Sequence, residues 1–128
     1  MKNIAQTEIF DAEPVQVYGV FMNAQSHAAF TNAAARIDDK VGGEFEVWDG
    51  YATGKNLELI PNKKIVQSWR ASDWPEGIES TITIELSVDN GKTKMEFTQT
   101  GIPDEFAADF EQGWTDYYWQ PMKEYLEK

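Results

Sequence analysis

Cysteine is absent from this 128-residue chain, histidine occurs once, and arginine is present only as Arg36 and Arg70. The first absence excludes disulfides, thiolate metal sites and cysteine nucleophiles, and fits a reducing compartment. With His27 as the one imidazole, metal centres built from several histidines are excluded, as is a Ser-His-Asp triad on any other histidine. Basic residues are scarce, 11 against 22 acidic for a net charge of −11, and form no patch longer than Lys63-Lys64. A nucleic-acid surface needs clustered cations, so nucleic acid is not an expected partner, and anionic membranes are disfavoured for the same reason. The field favours a neutral or cationic ligand unless Arg36 or Arg70 is placed to receive an anion. No window approaches the roughly 18 consecutive apolar residues of a membrane span, and Met1 to Gln6 lacks the apolar run of a signal peptide. The chain therefore reads as a soluble, cytoplasmic protein without membrane attachment. It shows no repeat, linker or low-complexity segment, and residues 1–128 read as a single domain stabilised by packing alone.

What the chain has in quantity is aromatic side chains, 13% of its residues. They concentrate at the C terminus, where Phe106, Phe110, Trp114, Tyr117, Tyr118, Trp119 and Tyr125 fall in one candidate helix from Asp104 to Lys128. At roughly 100° per residue, Phe106, Phe110, Gly113, Trp114, Tyr117 and Pro121 gather on one face. Asp109, Gln112, Asp116, Gln120 and Lys123 lie mostly on the other, with Trp119 on the far side. Such a helix must lie against a broad apolar surface, as core or as the wall of a cavity.

The pattern upstream supplies that surface. Residues from Asn3 to Phe10 read as an opening strand. Pro14 is preorganised for the first position of a short helix, after which Val17, Tyr18, Phe21 and Met22 recur at helical spacing. Ser26 is a candidate cap for a second short helix through Phe30. From residue 42 to residue 101 the period changes to two, with turns at Asp49-Gly50, Pro61-Asn62 and Asp89-Asn90-Gly91. Phe45 and Val47 alternate with Glu44, Glu46 and Trp48. Ile65, Gln67 and Trp69 share a face, Ile82, Ile84, Leu86 and Val88 share another, and Met95 and Phe97 share theirs with Gln99. An antiparallel sheet with one apolar face needs a cover, and the C-terminal helix is the element large enough.

Several motifs carry chemical possibilities. Gly42-Gly43 opens a strand rather than a helix and reads as a structural bend, not a phosphate loop. Arg70 is expected to pair across strands with Glu58 or to point toward a loop such as Asp73, and the cross-strand ion pair outranks anion recognition. Trp74-Pro75 forms either a lid or an anchor on the sheet edge. His27, at the start of a short helix, is expected to be solvated rather than catalytic, and Asp38-Asp39 reads as a solvated turn rather than an acid/base dyad. Gln67 and Gln99 face inward as neutral amides that must find partners. Set among Phe45, Val47, Trp69, Phe97, Phe110, Trp114, Tyr117 and Tyr118, they form either a small-ligand site or a filled core whose amides are satisfied internally.

The residues Val41-Gly42-Gly43-Glu44-Phe45, Gly54, the run from Glu58 to Arg70, Trp74-Pro75-Glu76-Gly77, and Gly113-Trp114 followed by Tyr117-Tyr118-Trp119 resemble the AHSA1 family. These are the Hsp90-ATPase-activator homologues of the START-like helix-grip superfamily, and the similarity runs over nearly the whole chain. The resemblance implies an α+β helix-grip fold: a curved antiparallel sheet of about six to seven strands, two short helices, and a long C-terminal helix packed across the sheet over a cavity. On that basis the expected function is the binding of a small hydrophobic molecule, without metal or other cofactor. The alternatives are a co-chaperone-type domain with Hsp90 as partner, favoured by exposed aromatics such as Trp48 or Trp119, and a cyclase- or hydratase-like enzyme using the cavity. Either a monomer or a homodimer is compatible with the sequence.

Overall fold

Seven strands and a terminal helix make up the computed structural model, which describes residues 1–127. The strands are β1 (Lys2–Phe10), β2 (Arg36–Ile37), β3 (Glu44–Val47), β4 (Ala52–Ile60), β5 (Lys64–Ala71), β6 (Ser80–Asp89) and β7 (Lys92–Ile102). They form one antiparallel sheet in the order β1-β7-β6-β5-β4-β3-β2. All but one of the links are between sequence neighbours. The exception carries β1 to the far edge through two helices, α1 (Pro14–Met22) and α2 (Ala24–Thr31).

Pro14 occupies the first turn of α1 as the sequence implies, and the Glu13 amide donates to Gln16 Oε1 at 2.8 Å. The second cap differs from expectation. Asn23, not Ser26, caps α2 by accepting from the Ser26 amide at 3.0 Å, while Ser26 Oγ donates back to the Val20 carbonyl at 2.9 Å. One short polar cluster thus closes α1 and opens α2, fixing their turn.

Alternation places Ile4, Phe45, Val47, Ile65, Trp69, Ile82, Ile84, Met95 and Phe97 on the buried face. Val88 departs from its strand's pattern and is 71% exposed, because β6 runs past the end of the helical cover into the Asp89-Asn90-Gly91 turn. A register shift between Asn56 and Glu58 turns Asn56 inward and leaves Leu57 exposed. Gly54 sits where Phe45 crosses the sheet: a Cβ there would lie 2.6 Å from Phe45 Cζ, so only glycine fits. Arg70 does not meet Glu58. It is registered opposite Thr53, and its guanidinium donates to the carbonyls of Trp74, Pro75 and Ile78, closing the β5–β6 loop, while Glu58 lies 3.5 Å from Lys64.

The cover begins with a 3₁₀ turn (Asp104–Phe106), where Asp104 pairs with the N-terminal ammonium at 2.8 Å, which lowers its carboxyl pKa. It continues as α3 (Ala107–Trp114), a π turn (Thr115–Trp119) and α4 (Gln120–Leu126). Lys128, at the end of the expected helix, lies outside the described residues. The π turn is the main departure from the uniform helix. Pro121 has no amide to give to Tyr117, and its ring crowds that carbonyl; the Gln120 amide reaches back to Thr115, five residues away. One residue is in effect inserted, and the buried set after Trp114 moves on by one position, to Tyr118, Trp119 and Met122. Trp119, expected on the far side, is fully buried, and its Nε1 donates to Gln6 Oε1 at 2.8 Å. Tyr117, expected on the sheet side, is 60% exposed. Lys123 also turns inward to the sheet edge, 2.6 Å from Glu8 and over the ring of Phe10.

Candidate functional site

The space beneath the helix is filled by side chains. Trp114 lies against Phe97 (ring centroids 4.6 Å apart), Tyr118 (4.5 Å) and Trp119 (5.5 Å), and Trp119 against Phe97 (5.1 Å). The inward amides are used in holding this packing. Gln99 accepts from Trp114 Nε1 at 2.7 Å and donates to Ser80 Oγ at 2.9 Å, which in turn donates to the Trp69 carbonyl. Gln67 donates to Asn56 Oδ1 at 2.9 Å, and Asn56 Nδ2 donates to the carbonyls of Asp38 and Lys40. Two polar chains therefore pin the helix and the β2–β3 turn to the sheet centre. The gap left among Phe21, His27, Ile37, Phe45, Val47, Gln67, Trp69 and Tyr118 is about 10 Å³, no more than one water molecule.

Of the ten residues that the sequence gathers as cavity candidates, the structure buries Phe45, Val47, Gln67, Trp69, Phe97, Gln99, Trp114 and Tyr118, half-buries Phe110 and exposes Tyr117. It does not bring them together around one space. Phe97 and Gln99 belong to the packed centre. Trp69, Phe110, Trp114, Tyr117 and Tyr118 instead reach an open groove of about 440 Å³ beside the helix, whose other walls are Trp48, Tyr51, Asp109 and Gly113.

Trp48 was not among the expected lining residues, and it is the residue that builds the groove. The sequence places it on the outer face of β3. It leaves the strand instead, in a left-handed conformation with φ 57°, followed by Asp49 (57°) and Gly50 (92°). For a bulky side chain such a backbone costs on the order of 1–3 kcal/mol. The indole swings toward the helix, where Nε1 donates to the Tyr118 hydroxyl at 3.0 Å and the ring meets Tyr117 at 76° and 5.9 Å. The Asp-Gly turn signal was legible; that the turn begins at the tryptophan before it was not.

The contact with Tyr118 continues inward to His27, which is buried rather than solvated. His27 Nδ1 lies 2.9 Å from the Phe21 carbonyl, which only accepts, so Nδ1 carries the proton and Nε2 accepts from the Tyr118 hydroxyl at 3.1 Å. The chain Trp48 to Tyr118 to His27 to Phe21 is complete at every link. Burial holds the imidazole neutral, moving its pKa down to about 4 against the opposing Phe21 hydrogen bond, and burial raises that of Tyr118. Tyr51 donates to Asp73 at 3.0 Å, and burial together with that carboxylate moves its pKa up to about 12. Trp74 is an anchor: it packs on Trp69, Phe106 and Phe110, and among the described residues its Nε1 has no hydrogen-bond partner. Among the described residues no group of three His, Asp or Glu is placed to hold a metal ion, and no helix is long and apolar enough to cross a membrane.

The family profile described as "Activator of Hsp90 ATPase homolog 1-like protein" matches residues 11–127. The chain belongs to this family. It is 42% identical over 116 residues to an activator of 90 kDa heat shock protein ATPase homolog from Dictyostelium discoideum, covering 88% of this chain and 30% of that protein. It is 36% identical over 121 residues to activator of 90 kDa heat shock protein ATPase homolog 1 from Homo sapiens, covering 94% of this chain and 36% of that protein. The chain thus spans about a third of the length of these relatives. Among solved structures, an HSP90 activator from Plasmodium falciparum superposes with a TM-score of 0.91 at 27% identity, covering 99% of this chain and 97% of that one. The Aha1 dimer from Colwellia psychrerythraea superposes with a TM-score of 0.84 at 22% identity over 99% and 97%. Both neighbours share the helix-grip arrangement of sheet and terminal helix.

Proposed function

We propose that this AHSA1 domain is a chaperone-contacting module of the Hsp90-activator type, and that the groove between Trp48 and Tyr117 is the surface it offers. The observation that carries the reading is the filled interior. With a gap of about 10 Å³ beneath the helix, binding moves to the outside, where aromatic side chains stand partly free. Exposed aromatic area of this kind is the usual anchor of a protein interface. The relatives named as activators of the 90 kDa heat shock protein ATPase support the choice of partner, and the cysteine-free composition suits a cytoplasmic setting for it.

Calorimetric titration of the chain into a purified Hsp90 tests this directly, with Tyr117→Ala as the groove variant. Binding weakened by about tenfold or more in the variant is the expected result, corresponding to about 1.4 kcal/mol. No complex with the unaltered chain, or full affinity in the variant, overturns the assignment. Stimulation of ATP hydrolysis is a separate measurement, because the matched relatives are about three times longer than this chain.

A second reading rests on the groove's size. Its volume of about 440 Å³ falls within the roughly 300–1,000 Å³ of small-molecule sites, and its walls are nearly all apolar. A small hydrophobic ligand held there, rather than beneath the helix, is the form in which a ligand-binding function fits this chain. Native mass spectrometry of the purified protein, with extraction of any copurifying molecule, tests it; a bare mass and no thermal shift with hydrophobic probes refute it.

A further inference from the structure

We infer that the Trp48–Tyr117 groove selects a small organic cation with an apolar body, such as a quaternary ammonium carrying a hydrocarbon or aromatic group. The inference does not rest on the chaperone reading, since it concerns what the groove takes from solution in the absence of any partner. Three observations carry it.

The first is the kind of wall. Trp48, Tyr51, Trp69, Phe110, Tyr117 and Tyr118 line the groove, and adjacent rings meet nearly at right angles, Trp48 with Tyr117 at 76° and Trp69 with Phe110 at 89°. Indole and phenol rings attract cations through their negative faces, most strongly where water is displaced. The second is charge. Among the described residues Asp109 is the one lining residue with a formal charge and no lysine or arginine lines the groove, while Asp73 stands behind Tyr51 and accepts its hydroxyl hydrogen bond. The whole chain carries −11, so the far field and the local charge have the same sign and draw cations in.

The third is that several of the polar groups on the walls are already committed to one another. Trp48 Nε1 and the Tyr118 hydroxyl are committed to each other and to His27, Tyr51 to Asp73, and Trp114 Nε1 to Gln99. A quaternary ammonium has no hydrogen to donate and needs no acceptor from these walls. An anion would face the Asp109 carboxylate.

The test uses three soluble compounds that share a benzyl group and differ in charge: benzyltrimethylammonium, benzyl alcohol and phenylmethanesulfonate. Titrating each into ¹⁵N-labelled protein and following the indole N–H resonances gives affinity and site together, because Trp48, Trp69 and Trp114 line the groove and Trp119 does not. Benzyltrimethylammonium is expected to shift the groove indoles with a Kd below about 1 mM, at least about tenfold tighter than benzyl alcohol, and the sulfonate is expected to shift none. Asp109 is exposed, so Asp109→Asn is expected to fold; it should weaken the cation about threefold and leave the alcohol unchanged. Equal affinity for cation and alcohol would show an indifferent apolar groove and overturn the inference. So would shifts produced by the sulfonate, or no groove shifts with the cation.

Discussion

Replacing His27 should flatten the acid limb of the stability profile. The imidazole is 2% exposed and holds one proton, on Nδ1, between the Phe21 carbonyl and the Tyr118 hydroxyl. Its pKa falls from 6.5 in the unfolded chain to about 4 in the fold. As pH drops, the unfolded chain therefore takes up the proton first, and the contribution to stability is complete above 6.5 and lost progressively toward 4. The whole displacement corresponds to about 3 kcal/mol, of which about 2 kcal/mol is lost between about pH 7.5 and about pH 5. Urea unfolding followed by circular dichroism at these two pH values, on the unaltered chain and on His27→Gln, isolates the term, since the carboxylates titrate alike in both. The unaltered chain should lose about 2 kcal/mol more than the variant over the interval. The absolute stability of the variant at neutral pH is immaterial to the comparison. Parallel profiles would refute the argument, and with it the claim that the Trp48-Tyr118-His27 chain is closed to solvent.

Trp119→Ala should cost about 3–5 kcal/mol in unfolding free energy, against less than about 0.5 kcal/mol for Tyr117→Ala, because the π turn buries the first and frees the second; a reversed order in denaturant titrations would restore a regular helix. Gln99→Leu should destabilise by about 1–3 kcal/mol by leaving Trp114 Nε1 buried without an acceptor, and a neutral result would mean that water replaces the amide.

The sheet was legible because its period is two and one face is apolar; Ile82, Ile84, Met95 and Phe97 lie where alternation puts them. Gln67 and Gln99 were legible as inward amides for the same reason, but their partners were not. Those partners, Asn56 and Trp114, come from other strands and from the helix, and Asn56 faces inward only through the bulge in β4. The positions around the groove follow less directly from the pattern than the sheet does, and each departure has a local cause. Trp48 leaves the alternation of β3 because the turn after Val47 opens in the left-handed region. Tyr117 and Trp119 trade places relative to a helix of 3.6 residues per turn because the segment contains Pro121. That proline was the available signal: four residues after Tyr117, it forbids the hydrogen bond a regular helix would make there. A helix that must keep packing beyond such a point widens by one residue, and the side chain displaced outward is the one beside the insertion. In this chain that side chain is Tyr117, and it stands against Trp48, itself turned out of its strand. The groove is thus bounded by two aromatic residues at two irregularities of the backbone, and neither follows from a regular period.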